Sequence, residues 1–143
     1  MAIASGQRIT AALLRRLRTA YYTASSTSEL TGAVTQGEVP GASVTFTTET
    51  AARWFCEAVF DADQQGTNTA LMLGYCDVDG TVQAGQAINS DPAASDRHTV
   101  SQMWDGTLSA AGTHTIKLLG TLAASQAIRV GNTRLKVTIQ EAV

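Results

Sequence analysis

The sequence offers few groups able to do chemistry: His98 and His114 are its only histidines, Cys56 and Cys76 its only cysteines, and two D-x-D pairs stand at Asp61/Asp63 and Asp77/Asp79. A catalytic site needs a nucleophile, a base or a metal cluster on converging elements. Neither histidine lies beside a glycine-framed serine, and no G-x-S-x-G elbow, H-E-x-x-H helix or phosphate-cradling glycine loop occurs. Both histidines fall at alternating strand positions, with the loop between them centred near Thr107 to Gly112, so the spacing predicts a structural pair facing across two antiparallel strands. A metal site there would need a third ligand that the spacing does not supply. The D-x-D pairs read as calcium ligands or as ordinary turn acids, and only the second has a glycine, Gly80, at the bend that a calcium loop requires. As a glycosidase pair they would lack an aromatic sugar platform, because Trp54 and Trp104 alternate into the predicted core faces. The cysteines lack zinc or C-x-x-C spacing and read as buried thiols, with a disulfide open if their strands are neighbours. The expectation is a protein without catalytic residues, metal or cofactor.

Composition sets the frame for those residues. The 143-residue chain fits one domain with a short appendage. Only 15% of its residues are charged, against roughly 25% in an average soluble protein. Ala and Thr together supply 43 positions, so the surface must be polar without being charged. Such a surface suits lateral contacts, since each charge buried in an interface costs desolvation. No apolar run approaches the ~20 residues of a membrane span, and the expected leader pattern of a charged segment followed by an apolar one is absent. The net charge of −2 divides into +4 over residues 1–28 and −6 over the rest.

That basic segment carries the first predicted element. Ile9, Leu13 and Leu17 recur every four residues with Leu14 beside them, which is a helical stripe. Thr10 can cap it, and Arg8, Arg15, Arg16 and Arg18 flank it. A helix of about nine residues is unstable alone in water, so the stripe predicts an arm that rests on the body or on a partner. Four arginines make a short basic run, and the expected partner is a protein rather than nucleic acid. Residues 19–32 read as a connector, anchored by Tyr21 and Tyr22. The predicted division is an arm over 1–28 and a body over 29–143.

From Pro40-Gly41 onward the period becomes two. Trp54, Cys56, Ala58 and Phe60 alternate with Arg53, Phe55, Glu57, Val59 and Asp61. Leu135, Val137 and Ile139 alternate with Arg134, Lys136, Thr138 and Gln140. Asp79-Gly80 predicts a tight hairpin, and Ser109–Gly112 another. Seven or eight short strands without a second helix predict an all-β fold, an antiparallel β-sandwich or jelly roll preceded by the short helical arm, and the strand pattern is the same for both topologies. Apolar residues on both faces, notably Phe55, Val59, Met72 and Val78, predict burial of a second face against another copy; a homotrimer is the expected oligomer only by analogy with small jelly rolls that pack side by side.

The opening AIASGQRITAALLRRLRTAYYTA, with its G-Q-x-I-T-A-x-x-L pattern, and the following GASVTFTTETAARWFCEAVFDAD resemble small virion proteins of actinobacterial phages. DVDGTVQAGQAI, HTVSQMWDGTLSAAGTHTIKLLG and RLKVTIQEAV extend the resemblance over most of the chain. It implies a non-enzymatic structural protein of the virion, a capsid decoration or minor capsid subunit that docks its arm (Arg8, Ile9, Leu13, Leu14, Arg15, Arg16, Leu17 and Arg18) on the major capsid protein. The alternatives are a minor tail or fibre-associated protein, with tail proteins as its partners, and a host-glycan or receptor-binding module, which would need exposed aromatic residues.

Overall fold

The computed structural model describes Thr10, Ala11, Leu14 and residues 18–141. Its strands are β1 (Ala20–Ser25), β2 (Leu30–Thr31), β3 (Val34–Thr48), β4 (Ala52–Gln64), β5 (Met72–Val78), β6 (Thr81–Val82), β7 (Ala87–Asn89), β8 (Asp96–Leu108), β9 (Gly112–Leu122), β10 (Gln126–Ile128) and β11 (Arg134–Glu141). They form two antiparallel sheets.

In the first sheet β4 is central. It pairs along its whole length with β8, from Ala52 opposite Leu108 to Gln64 opposite Asp96. On its other side it meets β11 and then β10, and β1 completes the sheet beyond β11. In the second sheet β9 lies between β3 and β5, and β5 carries the short β6 and β7 on its far edge. With β2, β6 and β10 set aside, the remaining eight strands run β1-β11-β4-β8 in one sheet and β3-β9-β5-β7 in the other. Numbered one to eight along the chain, these orders are 1-8-3-6 and 2-7-4-5, the winding of a jelly roll.

Alternation sets which residues enter the core. Trp54, Cys56, Ala58 and Phe60 point inward from β4, Leu135, Val137 and Ile139 from β11, and Ile116 and Leu118 from β9; all are buried. Burying one such aliphatic or aromatic side chain contributes about 1.5–3 kcal/mol. A one-residue slip would turn a whole strand's set outward, so the register is strongly determined. Trp54 and Trp104 are both core residues, as expected, and the Trp104 indole N–H donates to Gly85 O at 3.1 Å. Threonine lines the outer face of the second sheet, where the Thr45 and Thr115 hydroxyls lie 3.0 Å apart across the strands.

Four expectations are corrected. The segment 19–32 is not a connector throughout, because Ala20–Ser25 pairs with all of Arg134–Ile139 as β1; Ala20, Tyr22 and Ala24 pack on the core, and Tyr22 stacks on Phe46 at 5.1 Å. Ser109–Gly112 is not a hairpin, since β8 belongs to the first sheet and β9 to the second, and the chain there crosses the sandwich. For the same reason His98 and His114 do not face each other. Met72 and Val78 do not build a second apolar face: they point into the core, and Leu73 and Tyr75 face out. The Asp79-Gly80 hairpin is present, with φ of 52° and 84°, the positive values that a two-residue turn of this kind demands.

Candidate functional site

The strand register assembles a surface that the sequence does not display. On the outer face of the first sheet, Thr23, Lys136, Glu57 and Met103 stand in one row across β1, β11, β4 and β8. Ser25, Arg134, Val59 and Ser101 form the next row, and Tyr21, Thr138, Phe55 and Asp105 the row on the other side. The first two rows line an open groove of about 610 Å³. Four hydrogen-bonded strands form its floor, so the side chains stand on rigid backbone.

The groove mixes chemistries. Thr23, Ser25 and Ser101 bring hydroxyls, and Met103 and Val59 apolar surface. Glu57 and Lys136 lie 3.5 Å apart with half-exposed side chains, a pair that solvent screens and that adds little stability. Lys136 Nζ also sits 5.5 Å from the centre of the Tyr21 ring, within the range of a cation–π contact. Tyr21 and Met103 are each 64% exposed. Phe55, read from the sequence as half of a second apolar face, is partly covered by the Arg53 guanidinium 5.5 Å from its ring centre. Arg134, which makes no ion pair among the described residues, adds a guanidinium to the groove lining.

The other residues singled out from the sequence lie elsewhere. Of the arm, Arg8, Ile9, Leu13, Arg15, Arg16 and Leu17 fall outside the described residues. Leu14 is exposed and donates its N–H to Thr10 O at 3.0 Å, and Arg18 is exposed. The helical arm itself is not shown. The first D-x-D pair is neutralised by arginines: Arg97 Nε and Nη2 each donate to the Asp61 carboxylate at 2.6 Å, and Arg129 Nε donates to Asp63 Oδ2 at 2.6 Å. Arg129 also reaches Glu29. In the second pair, Asp77 Oδ1 accepts from Gly80 N and Asp79 Oδ1 from Thr115 N, while His114 Nδ1 lies 2.7 Å from Asp79 Oδ2. Burial opposes ionisation of Asp79, but the hydrogen bonds from His114 and Thr115 outweigh it and hold its carboxyl below the usual range. His98, near the start of β8, contacts Asp91 rather than a second histidine.

Cys56 and Cys76 are both buried and unbonded. The neighbouring Cys56 thiol, together with burial, pushes the Cys76 thiol far up. The groove residues were visible in the sequence as outward positions of alternating strands. Their convergence was not, because register is a property of strand pairing.

No protein-family model matches the chain, and no curated protein matches it. Among solved structures it is similar to dimeric latent PorU from Porphyromonas gingivalis, with a TM-score of 0.54 and 8% identity over 86% of this chain. The chain spans only 13% of that protein's length. The likeness shows a shared β-sandwich fold. Weaker likenesses are to a family 35 carbohydrate binding module from an environmental isolate, at TM-score 0.41 and 17% identity over 86% of this chain and 91% of that one, and to CBM35 from Cellvibrio japonicus Abf62, at 0.37 and 14% over 87% and 99%.

Proposed function

We propose that the chain is a non-catalytic recognition module that binds an oligosaccharide across the outer face of its first sheet. The groove spanning β1, β11, β4 and β8 carries this reading. A sugar chain is amphipathic: its hydroxyls need donors and acceptors in one surface, and its ring faces need apolar or aromatic area. Thr23, Ser25, Ser101, Glu57, Lys136 and Arg134 supply the first, and Met103, Val59 and the exposed ring of Tyr21 at the rim supply the second. An open groove on rigid strands suits a linear ligand that needs no closure. Both histidines are held by carboxylates at separate places and both thiols are in the core, which supports binding rather than catalysis. The test is a glycan array followed by calorimetry on hits, with Tyr21→Ala, Glu57→Ala and Arg134→Ala. Each variant should lose about tenfold or more in affinity, since each removes a contact worth upward of ~1.4 kcal/mol, with thermal unfolding unchanged. Absence of any glycan hit, or binding indifferent to all three substitutions, would overturn the reading.

A second reading rests on the outer face of the other sheet. Leu73 of β5 stands opposite Ile88 of β7, which is 49% exposed, and Leu71, two residues upstream, is 46% exposed. With the low surface charge and the resemblance to virion proteins, this patch supports attachment of the module to a larger particle, through the arm and as an oligomer. A chain lacking residues 1–18 should then fold and fail to co-purify with particles, and normal incorporation of that truncation would remove the arm's role.

A further inference from the structure

Away from the groove, Asp91 of the stretch linking β7 of the second sheet to β8 of the first, and Asp96 and His98 at the start of β8, bring three metal-ligating side chains to one point. His98 Nε2 lies 2.9 Å from Asp91 Oδ2 and 3.5 Å from Asp96 Oδ1, and the three ligand atoms all fall within 4.8 Å of one another. A single imidazole nitrogen carries at most one proton, so it satisfies one carboxylate, and the other, Asp96, faces it with no charged partner among the described residues and only the Arg97 backbone N–H as a donor. The nearest cation in sequence, Arg97, gives both Nε and Nη2 to Asp61 instead. Two carboxylates thus converge on one nitrogen with a deficit of positive charge.

We propose that Asp91, Asp96 and His98 form a binding site for a divalent zinc ion. Tetrahedral zinc at about 2.0–2.2 Å from each donor spaces its ligands by about 3.3–3.6 Å, so the observed separations need only small side-chain adjustments. The donor set selects the metal. Imidazole nitrogen suits zinc and its neighbours, whereas calcium takes six to eight oxygens and magnesium retains its waters. The remaining positions on the ion face solvent, since the side chains of His98 and Asp96 are 45% and 47% exposed and that of Asp91 23%, which also gives the ion its entry path. Orienting contacts are already in place: Ala93 N donates to Asp91 Oδ1 at 2.9 Å, and Arg97 N to Asp96 Oδ1 at 3.1 Å. Binding requires His98 neutral and releases the proton it shares with Asp91. Because the site joins Asp91 of the connection between the two sheets to the first residues of β8, the bound ion would tie that crossing down.

The test uses the full, tag-free chain and zinc chloride as the probe, read by calorimetry and by the shift of thermal unfolding. Cobalt(II) provides a visible absorption spectrum that reports nitrogen and oxygen ligation. The wild type should bind one equivalent and unfold at higher temperature with zinc present. Asp91→Asn, Asp96→Asn and His98→Ala should each weaken binding about tenfold or more while leaving the metal-free unfolding temperature near that of the wild type. His114→Ala, which removes the other histidine, should bind as the wild type does. No saturable binding, or binding that survives His98→Ala or is lost in His114→Ala, would overturn the proposal. Circular dichroism of each metal-free variant separates loss of ligation from loss of fold.

Discussion

Asp61 is fully buried, and both of its carboxylate oxygens are held by Arg97, Nε to Oδ1 and Nη2 to Oδ2, each at 2.6 Å. The second oxygen also accepts from the backbone and side-chain amides of Asn132 at 3.1 Å. This joins β4 and β8 to the turn before β11.

Acid should therefore weaken the fold through this residue. The hydrogen bond from Arg97 lowers the Asp61 carboxyl, burial works against it, and the Arg97 charge and the Asn132 amides lower it further, leaving it below the usual carboxylate range. A depressed folded value means that the stabilisation is complete above the unfolded carboxylate's value, about pH 4, and is lost as pH falls through the lower folded value. Asp61→Asn should cost about 1–3 kcal/mol at pH 7, the price of leaving buried donors poorly matched, and should flatten the dependence below pH 4. Urea unfolding at pH 7 and pH 3 checks both. An unchanged acid slope in the variant would assign the pH dependence to other carboxylates.

The inner surface has little slack where β5 crosses β4. A Cβ built on Gly74 would lie 2.6 Å from the Phe60 ring, well inside van der Waals contact, and that ring also packs edge-on against Trp104 at 6.5 Å. Gly74→Ala should destabilise by about 1–3 kcal/mol through overpacking. Combining it with Phe60→Leu should cost less than the two separate losses together, a coupling that a double-mutant cycle measures directly. Strict additivity would show that the added methyl is accommodated elsewhere.

Truncation separates what the sequence displays from what the fold decides. Removal of residues 1–18 leaves β1 intact. Removal of 1–28, the whole expected arm, also deletes the six-residue ladder on β11 and the Tyr22–Phe46 stack. The first truncation should unfold as the full chain does. The second should unfold at least several degrees lower or aggregate through the exposed edge of β11, as differential scanning calorimetry and light scattering would show. Equal stability of the two would make β1 an ornament rather than part of the sandwich.

That boundary also shows where reading the sequence succeeds. In RLKVTIQ large apolar residues alternate with charged and polar ones, and in ARWFCEAVF Arg53 and Glu57 mark the outward set even though Phe55 and Val59 share it. In AYYTAS both tyrosines are adjacent and the remaining side chains are small, so the period of two carries almost no contrast even though Tyr22 faces in and Tyr21 out. The hairpin at Asp79-Gly80 was legible because positive φ restricts residue choice. Ser109–Gly112 has equally turn-prone residues but crosses between sheets, since turn chemistry reports a change of direction and not the partner of the next strand. The candidate ligand surfaces follow the same division. Arg134, Lys136 and Glu57 were visible as outward residues, while the row that joins them, and the approach of Asp91 and Asp96 to His98, depend on pairing at a distance.

The two thiols give the most direct probe of the interior. Cys56 and Cys76 are fully buried on opposite sheets, and the neighbouring Cys56 thiol, with burial, favours the protonated form of Cys76. A thiol is reactive as the thiolate, so neither cysteine should react with a thiol reagent such as DTNB at pH 8 in the native protein, and both should react once guanidinium unfolds it. Because sheet-to-sheet opening is needed to expose them, the native labelling rate should follow global unfolding and fall in parallel with added stability. Rapid labelling of one thiol without denaturant would mean that the sheets separate locally around β5, whose outer edge carries only the short strands β6 and β7.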